Sequence, residues 1–335
     1  MKFAVFGAGS IGGLLGARLA LAGEDVTFIA RGANLEAIRK NGFKLIEEDG
    51  KEVVAGSVKA AAVNEAGPHD VVLLAMKAHQ VTPIAKDVRA LFGPDTVVVT
   101  LQNGIPWWYF YKLGGEYEGR PVKSVDPDGS IAANIENERI IGSVVYPASE
   151  LTAPGVVKVI EGNRFSLGEP DNSKSERATR ISEALTRAGF KAPVVSDLRS
   201  EIWLKLWGNL TFNPVSALTH ATLVDICRFP LTRALAAAMM AEAQTIAEKL
   251  GVRFRISIEK RIAGAEGVGK HKTSMLQDVE AGRALELEAL LGSVKEMGQL
   301  TGTPTPHIDA VYACTALLGR TLADEKGRLK VQPLG

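Results

Sequence analysis

The sequence predicts an α/β protein in which a domain of parallel strands alternating with helices precedes a domain of helices alone. Three observations support this fold class. A glycine-rich turn begins at Gly7, short apolar runs alternate with helical patterns up to about residue 196, and helical patterns dominate beyond it. We therefore expect domains at 1–196 and 197–335, which a chain of 335 residues can accommodate.

The composition is that of a globular protein and sets limits on its partners. Apolar residues make up 46% and charged residues 23% of the chain, and 39 basic against 38 acidic side chains leave a net charge of +1. This balance favours neither nucleic acid nor a membrane surface as partner, and no run reaches the roughly 18 apolar residues of a membrane helix. Two distant cysteines without a CxxC motif predict a cytoplasmic protein without a metal site.

The amino-terminal segment carries the first motif. The run "KFAVFGAG" predicts a buried strand, "SIGGLLGARLALAG" a helix and "EDVTFIA" a second strand. A glycine motif between strand and helix is typical of a Rossmann-type dinucleotide-binding domain, although a glycine-rich turn without a ligand is the alternative. We expect the cofactor to contact Gly7, Ala8, Gly9, Ser10, Ile11 and Gly12.

The residue after the second strand predicts which dinucleotide binds. An acidic side chain there would bind the 2′-hydroxyl of NAD, whereas this chain has Arg31. A guanidinium offers a fork of donors to a 2′-phosphate, so we expect NADP(H). The alternative is a solvated surface arginine.

Further candidates follow the next two apolar runs, "DVVLLAMK" and "TVVVTLQNG". Functional residues of open parallel sheets gather at the carboxyl ends of strands, which places Lys77, Gln80 and Asn103 there. The amide of Asn103 would lie beside the nicotinamide ribose. The alternatives are a surface lysine and a plain Asn-Gly turn.

The other patterns in the first domain predict secondary structure and packing, not catalytic or binding residues. "VTPIAKDVRALFG" indicates a helix, and the runs within 140–168 indicate strands that extend the sheet. The aromatic cluster that contains Trp107 and Trp108 lines the site or packs in the core, and we favour packing.

The helical domain must supply an anchor for the substrate and a proton source. In "EIWLKLWGNLTFNP", Lys205, Asn209 and Asn213 are spaced i, i+4, i+8 and share one stripe of a helix, and Pro214 is expected at or near its end. A solvated lysine is the alternative at Lys205.

A second segment, "HKTSMLQDVEAGRALELEALLG", adds Ser274 as a candidate helix cap. It also places Glu286 and Glu288 in one helix, of which only one can face a cleft between the domains.

The chain resembles the ketopantoate reductase (2-dehydropantoate 2-reductase) family in GAGSIG, Arg31, "AMKAHQV", "LQNG", the Lys205 helix and "SMLQD" followed by "GRALELE". The resemblance implies a carboxyl-terminal domain like that of 6-phosphogluconate dehydrogenase, and reduction of a 2-oxo acid, with ketopantoate in pantothenate biosynthesis as the best single choice. It implies that Lys205 donates the proton and that Glu286 holds cofactor and substrate. The other implied contacts are Asn103, Asn209, Asn213 and Ser274 with substrate, and Lys77, Asn103 and Ala148 with NADP.

The sequence departs from the family pattern on the substrate side. Leu223 and His271 stand where the family tends to have asparagines, and Leu285 where it often has threonine. Two alternatives therefore stay open: a reductase or dehydrogenase of another hydroxy or oxo acid, and a non-catalytic NADP(H)-binding sensor. The Lys205–Glu286 pair argues against a sensor. The sequence leaves open whether the chain is a monomer or a homodimer.

Overall fold

The computed structural model describes residues 1–332 and divides into two compact units. The first unit comprises Met1–Val122 and Asp126–Leu198, and the second comprises Lys123–Val125 and the chain from Arg199 onward. Each unit has its own secondary structure.

The first unit is built on two sheets. Its strands are β1 (Lys2–Phe6), β2 (Asp25–Ile29), β3 (Phe43–Ile46), β4 (Glu52–Ala55), β5 (Lys59–Ala61), β6 (His69–Leu74), β7 (Phe92–Thr100), β8 (Ile140–Val145), β9 (Ala148–Ala153), β10 (Val156–Glu161) and β11 (Phe165–Gly168). The larger sheet has the order β5-β2-β1-β6-β7-β8-β11, in which only β11 runs antiparallel to its neighbour. The order reverses between β1 and β6, which is where doubly wound sheets bind their ligands.

The smaller sheet corrects one prediction. β8 and β11 extend the main sheet as expected, but β9 and β10 join β3 and β4 in the order β4-β3-β10-β9. The cause is the apolar helix between the sheets. A Cβ at Gly13 would lie 2.2 Å from the ring of Phe43, and one at Gly16 would lie 2.5 Å from Phe28. A helix that is apolar on both faces requires cover on both, and the second sheet provides the second cover.

Five helices belong to the first unit: α1 (Ser10–Leu21), α2 (Gly32–Asn41), α3 (Ala85–Val88), α4 (Ser130–Asn134) and α5 (Glu176–Arg187). The single helix predicted after β6 is wrong, because α3 is only four residues long and is flanked by short 3-10 helices at 82–84 and 89–91. Ile84 has φ −116° and ψ 1°, which interrupts the helix just after Pro83.

The aromatic segment that follows β7 lies inside the first unit. Trp107, Trp108, Tyr109 and Phe110 are all buried. The indole Nε1 of Trp108 donates to Thr100 at 3.2 Å, and its ring lies 2.6 Å from the position of a Cβ at Gly142. This burial agrees with packing as the role of the segment.

The second unit is helical: α6 (Leu198–Thr219), α7 (Leu223–Arg228), α8 (Pro230–Lys249), α9 (Ile258–Gly267), α10 (Ser274–Ala281), α11 (Ser293–Leu300) and α12 (Pro306–Asp324). Two buried tryptophans, Trp203 and Trp207, anchor α6, and Nε1 of Trp207 donates to the carbonyl of Met240 at 2.7 Å. Pro214, expected at or near the helix end, lies inside α6, which continues to Thr219. Packing of the buried helix therefore outweighs the hydrogen bond lost at proline. Within residues 1–332, no helix is long and apolar enough to cross a membrane.

Candidate active site

The glycine loop joins β1 to α1, and two of its glycines are required by the fold itself. Gly7 has φ +107°, and a Cβ there would lie 2.8 Å from Cγ of Met76. A Cβ at Gly12 would lie only 2.0 Å from the carbonyl oxygen of Gly7. The tight turn and the close approach of α1 to β1 therefore leave no room for a side chain at either position.

Gly9 is different, because neither strain nor packing requires a glycine there. Its φ is −85°, which any residue adopts, and a Cβ would meet no protein atom within 4 Å. Gly9 is the N-cap of the 12-residue helix α1, whose first N–H groups can bind an anion. A small residue at this point is what the close approach of a pyrophosphate to the backbone requires. The loop therefore fits a dinucleotide, with Ala8, Ser10 and Ile11 as its other members.

Sequence reasoning missed the side chain that holds this loop. The amide Nδ2 of Asn34 donates to the carbonyl of Ala8 at 2.6 Å, and its Oδ1 accepts from the backbone N–H of Gly155 at 2.7 Å. Asn34 lies in α2, whose N-cap is the exposed Arg31. No ion pair joins Arg31 to a carboxylate among residues 1–332. The signal in the sequence was weak, since an asparagine in a helix is not distinctive.

The other predicted cofactor residues of the first unit follow β6 and β7. Because β6 and β7 are neighbours and parallel, Lys77 and Gln80 come after one strand and Asn103 after the next. The backbone N–H of Lys77 donates to Oε1 of Gln80 at 3.3 Å. Ala148 is the first residue of β9, in the smaller sheet.

Gln102 is a second residue that sequence reasoning missed, although it stands in the quoted "LQNG". Its Nε2 donates to the carbonyls of Leu74 at 2.7 Å and Met76 at 3.1 Å. Both partners are acceptors, so they fix the orientation of the amide. Gln102 thereby ties the segment that contains Lys77 to the end of β7.

In the second unit, Lys205, Asn209 and Asn213 lie on α6 at the predicted spacing. Burial lowers the pKa of Lys205 to about 8, while the negative charge of Glu286 raises it and so opposes part of that shift. Asn213 is buried, and its Nδ2 donates to Oγ of Ser274 at 3.4 Å. Two pairs of side chains therefore meet along this helix: Lys205 interacts with the charge of Glu286, and Asn213 bonds to Ser274.

Two local predictions around Ser274 and Glu286 are wrong. Thr273 is the N-cap of α10, and Ser274 is the first helical residue with an exposed side chain. α10 ends at Gly282, which has the left-handed φ of +67°, and Glu286 lies in the non-helical segment after it. Glu286 and Glu288 therefore do not share a helix, and Glu288 is exposed and bonded to Tyr312.

The buried Asp278 of "SMLQD" fixes the segment that leads to Glu286. Its Oδ1 accepts from Nε of Arg283 at 2.9 Å, and its carbonyl accepts from the backbone N–H of Arg283. Asp278 is 4% exposed, so removing the arginine would leave a buried charge with one partner fewer.

The three residues that depart from the family pattern, Leu223, His271 and Leu285, lie at two separate positions in the second unit. Leu223 and His271 are adjacent, because the N–H of Leu223 donates to the carbonyl of His271 at 3.0 Å. Leu285 packs against α12, where its Cδ1 lies 3.5 Å from the position of a Cβ at Gly319. No group of three or more His, Cys, Asp or Glu side chains within residues 1–332 could hold a metal ion.

Comparison with known proteins identifies the family. The family described as "Ketopantoate reductase PanE/ApbA" matches residues 3–172, and "Ketopantoate reductase PanE/ApbA C terminal" matches residues 197–318. The chain belongs to the ketopantoate reductase family. The resemblance and fold class predicted from the sequence are therefore confirmed.

Individual relatives cover almost the whole chain. A 2-dehydropantoate 2-reductase of Mesorhizobium japonicum is 55% identical over 98% of this chain and 99% of its own length. A crystal structure from Ralstonia solanacearum MolK2, provisionally described as a ketopantoate reductase, is 40% identical with a TM-score of 0.91, covering 96% of this chain and 98% of its own. D-mandelate dehydrogenase, solved with NADH and anilino(oxo)acetate, shares the fold at 22% identity and a TM-score of 0.83, over 96% and 99%.

A pair of glycine variants separates the fold of the loop from its ligand. Gly12→Ala creates a backbone clash and should lower the melting temperature by several degrees, since overpacking costs about 1–3 kcal/mol. Gly9→Ala should leave the melting temperature unchanged but weaken NADPH binding by about tenfold or more, a loss of about 1.4 kcal/mol. Calorimetry and fluorescence titration measure the two quantities. Undiminished NADPH affinity in Gly9→Ala would exclude a phosphate beside Gly9.

Proposed function

We propose that this chain reduces 2-dehydropantoate (ketopantoate) to pantoate with NADPH, a step of pantothenate biosynthesis. One observation carries the proposal: Lys205 has a pKa of about 8 and shares a helix face with Asn209 and Asn213. The chain also belongs to a family whose member in Mesorhizobium japonicum, 55% identical, is named 2-dehydropantoate 2-reductase. An amine of that pKa is mostly protonated at neutral pH and can still give up its proton, which suits a general acid.

Different residues of the second unit have different roles in the reduction. When bound, NADPH would supply a hydride for the carbonyl carbon of the substrate. The carbonyl oxygen gains negative charge, and Lys205 stabilises that charge and donates a proton to it. The amides of Asn209 and Asn213 and the hydroxyl of Ser274 hold the substrate, with Ser274 on its carboxylate. Glu286 keeps Lys205 charged before the reaction and helps to hold cofactor and substrate.

The cofactor is held by the first unit. The glycine loop binds the pyrophosphate. The dinucleotide also contacts Lys77, Gln80, Asn103 and Ala148. Of these residues, Asn103 also reaches the substrate. Arg31 favours NADPH over NADH, because it follows β2 at the place where the adenosine ribose is recognised.

The substrate-side departures favour a second candidate, a different 2-oxo acid with the same cofactor. Leucine at 223 and 285 lacks the amide or hydroxyl group with which a residue at these positions could hydrogen-bond a polar substrate. Turnover of NADPH with ketopantoate and with a panel of straight-chain, branched and aromatic 2-oxo acids tests the proposal. The highest kcat/KM should belong to ketopantoate. A better acid would replace it as substrate, and no turnover with any of them would favour the NADP(H)-binding sensor.

We also propose that the protein is cytoplasmic and that it forms a homodimer. The thiols of Cys227 and Cys314 are free, which suits the reducing cytoplasm. A homodimer is a hypothesis that sedimentation of the full chain measures directly.

Replacement of Lys205 should separate chemistry from cofactor binding. We expect Lys205→Ala to leave the Kd of NADPH within about twofold and to lower kcat by about 10²–10⁴-fold, the usual contribution of a general acid. Lys260→Ala, on an exposed position of α9, is the matched control. Wild-type kcat in Lys205→Ala would show that another group donates the proton.

The pH profile of the wild type follows from the same pKa. Lys205 acts in its protonated form, so kcat/KM for reduction should be constant below its pKa of about 8 and fall tenfold per unit above it. In Lys205→Ala this alkaline limb should disappear from the residual activity.

The two neighbouring glutamates should differ in importance. Glu286→Gln removes the charge that opposes the pKa shift of Lys205, so we expect a large fall in kcat/KM and an alkaline limb at lower pH. Glu288→Gln keeps an oxygen that accepts from Tyr312 and should have a much smaller effect. Steady-state kinetics of both variants decide this, and equal losses would contradict the assignment of Glu286.

Arg31 should determine the preference between cofactors. Hydrogen bonds to charged groups contribute about 1.5–3 kcal/mol each, so one or two of them predict a preference of tens to thousands of fold for NADPH. We expect Arg31→Ala to weaken NADPH binding while NADH binding barely changes, and the preference to shrink at high salt. Arg39→Ala, in the same helix and paired with Glu65, is the control. Equal weakening of both cofactors by Arg31→Ala would remove the case for NADP.

A further inference from the structure

The chain that follows Glu286 contains a π-helical turn, Glu288–Gly292, directly before α11. Such turns are rare and occur frequently at functional sites. A π turn holds more residues than an α turn, so the residues before it are rotated about the axis relative to the helix that follows. Glu286 lies two residues before this turn, and its direction therefore depends on the turn being kept.

The carboxylate of Glu288 is held over the π turn. Its Oε1 accepts from the hydroxyl of Tyr312 in α12 at 2.7 Å. Its Oε2 lies 2.2 Å from the position that a Cβ at Gly292 would take, so the carboxylate lies close over the backbone of the turn. Ser293, the first residue of α11, donates from its Oγ to the carbonyl of Ala289 in the turn at 2.8 Å.

Tyr312 is itself fixed from a second side. The ammonium of Lys295 lies 4.0 Å from the centre of its ring and pairs with Asp309 at 3.3 Å. The hydrogen bond to Glu288 and burial raise the pKa of Tyr312 to about 12, so its hydroxyl remains a donor at neutral pH. The two helices α11 and α12 thus both contribute to holding one exposed carboxylate.

We infer that Glu288 and Tyr312 are positioning residues, whose hydrogen bond holds the π turn and so directs Glu286 toward Lys205. The inference rests on the proposed function, because Glu288 and Tyr312 affect the reaction only by positioning Glu286. Neither residue touches the reacting atoms. A surface hydrogen bond of tyrosine to glutamate that served stability alone would not need to lie on a π turn two residues after Glu286.

The test begins with Tyr312→Phe in the full chain, assayed with the 2-oxo acid that the wild type reduces best. We expect kcat/KM to fall about tenfold, because a displacement of 1 Å in a catalytic group can cost about 10²-fold. The Kd of NADPH should stay within about twofold. The alkaline limb of kcat/KM should move to lower pH, since a displaced Glu286 no longer raises the pKa of Lys205. Tyr117→Phe, which also loses a bond to a glutamate, is the matched control.

Two further variants separate positioning from general stability. Glu288→Ala removes the acceptor and should reproduce Tyr312→Phe, whereas Glu288→Gln keeps an acceptor oxygen and should restore most of the activity, to within about threefold of wild type. In a Glu286→Gln background, Tyr312→Phe should have no further effect, because residues that act through one group are not additive.

Each outcome supports or overturns the inference. Wild-type kcat/KM and pH profile in Tyr312→Phe, an unshifted alkaline limb, or full additivity with Glu286→Gln would each overturn it while leaving the proposed function intact. A wild type that reduces none of the 2-oxo acids would overturn the proposed function, and the inference with it. The wild-type assay alone gives that result, so a failure of the proposed function can be told apart from a failure of the inference.

Discussion

The burial of Lys205 beside the charge of Glu286 is the interaction on which the electrostatics of the second unit depend. Moving a cation out of water disfavours its charged form, and the pKa remains as high as about 8 only because the charge of Glu286 opposes that effect. Glu286 must therefore be kept near α6. The Asp278–Arg283 pair precedes Glu286 in the chain and the π turn follows it, so the segment that carries this charge lies between two defined structures.

The first unit depends in a similar way on close packing around α1. Gly12 allows the helix to lie against the carbonyl of Gly7, and the second sheet covers the face that the main sheet leaves exposed. Asn34 then joins the glycine loop to the turn at Gly155. A loop fixed from two sides needs little ordering when an anion binds, which reduces the entropic cost of binding.

Short-range patterns in the sequence predicted much of this architecture. The strand–glycine–helix order at Gly7 and the i, i+4, i+8 row from Lys205 depend on neighbours in the chain, and both are present. The errors arose where distant residues decide. β9 and β10 leave the main sheet to cover α1, and Pro214 is retained inside α6 because the helix is buried. Asn34 and Gln102 could not be singled out, because their partners are distant in sequence.

The sequence by itself determined the fold class, the family and the residue types available for the chemistry: the glycine loop, Arg31, the lysine with its amides, and the glutamate. Periodicity and motif spacing carry that information because they reflect local geometry. Only the tertiary structure decided that Glu286 lies outside a helix and that Glu288 accepts a hydrogen bond from Tyr312. It also decided the pKa of Lys205, because burial and the field of a charge 81 positions away in the chain (286 − 205) exist only after folding.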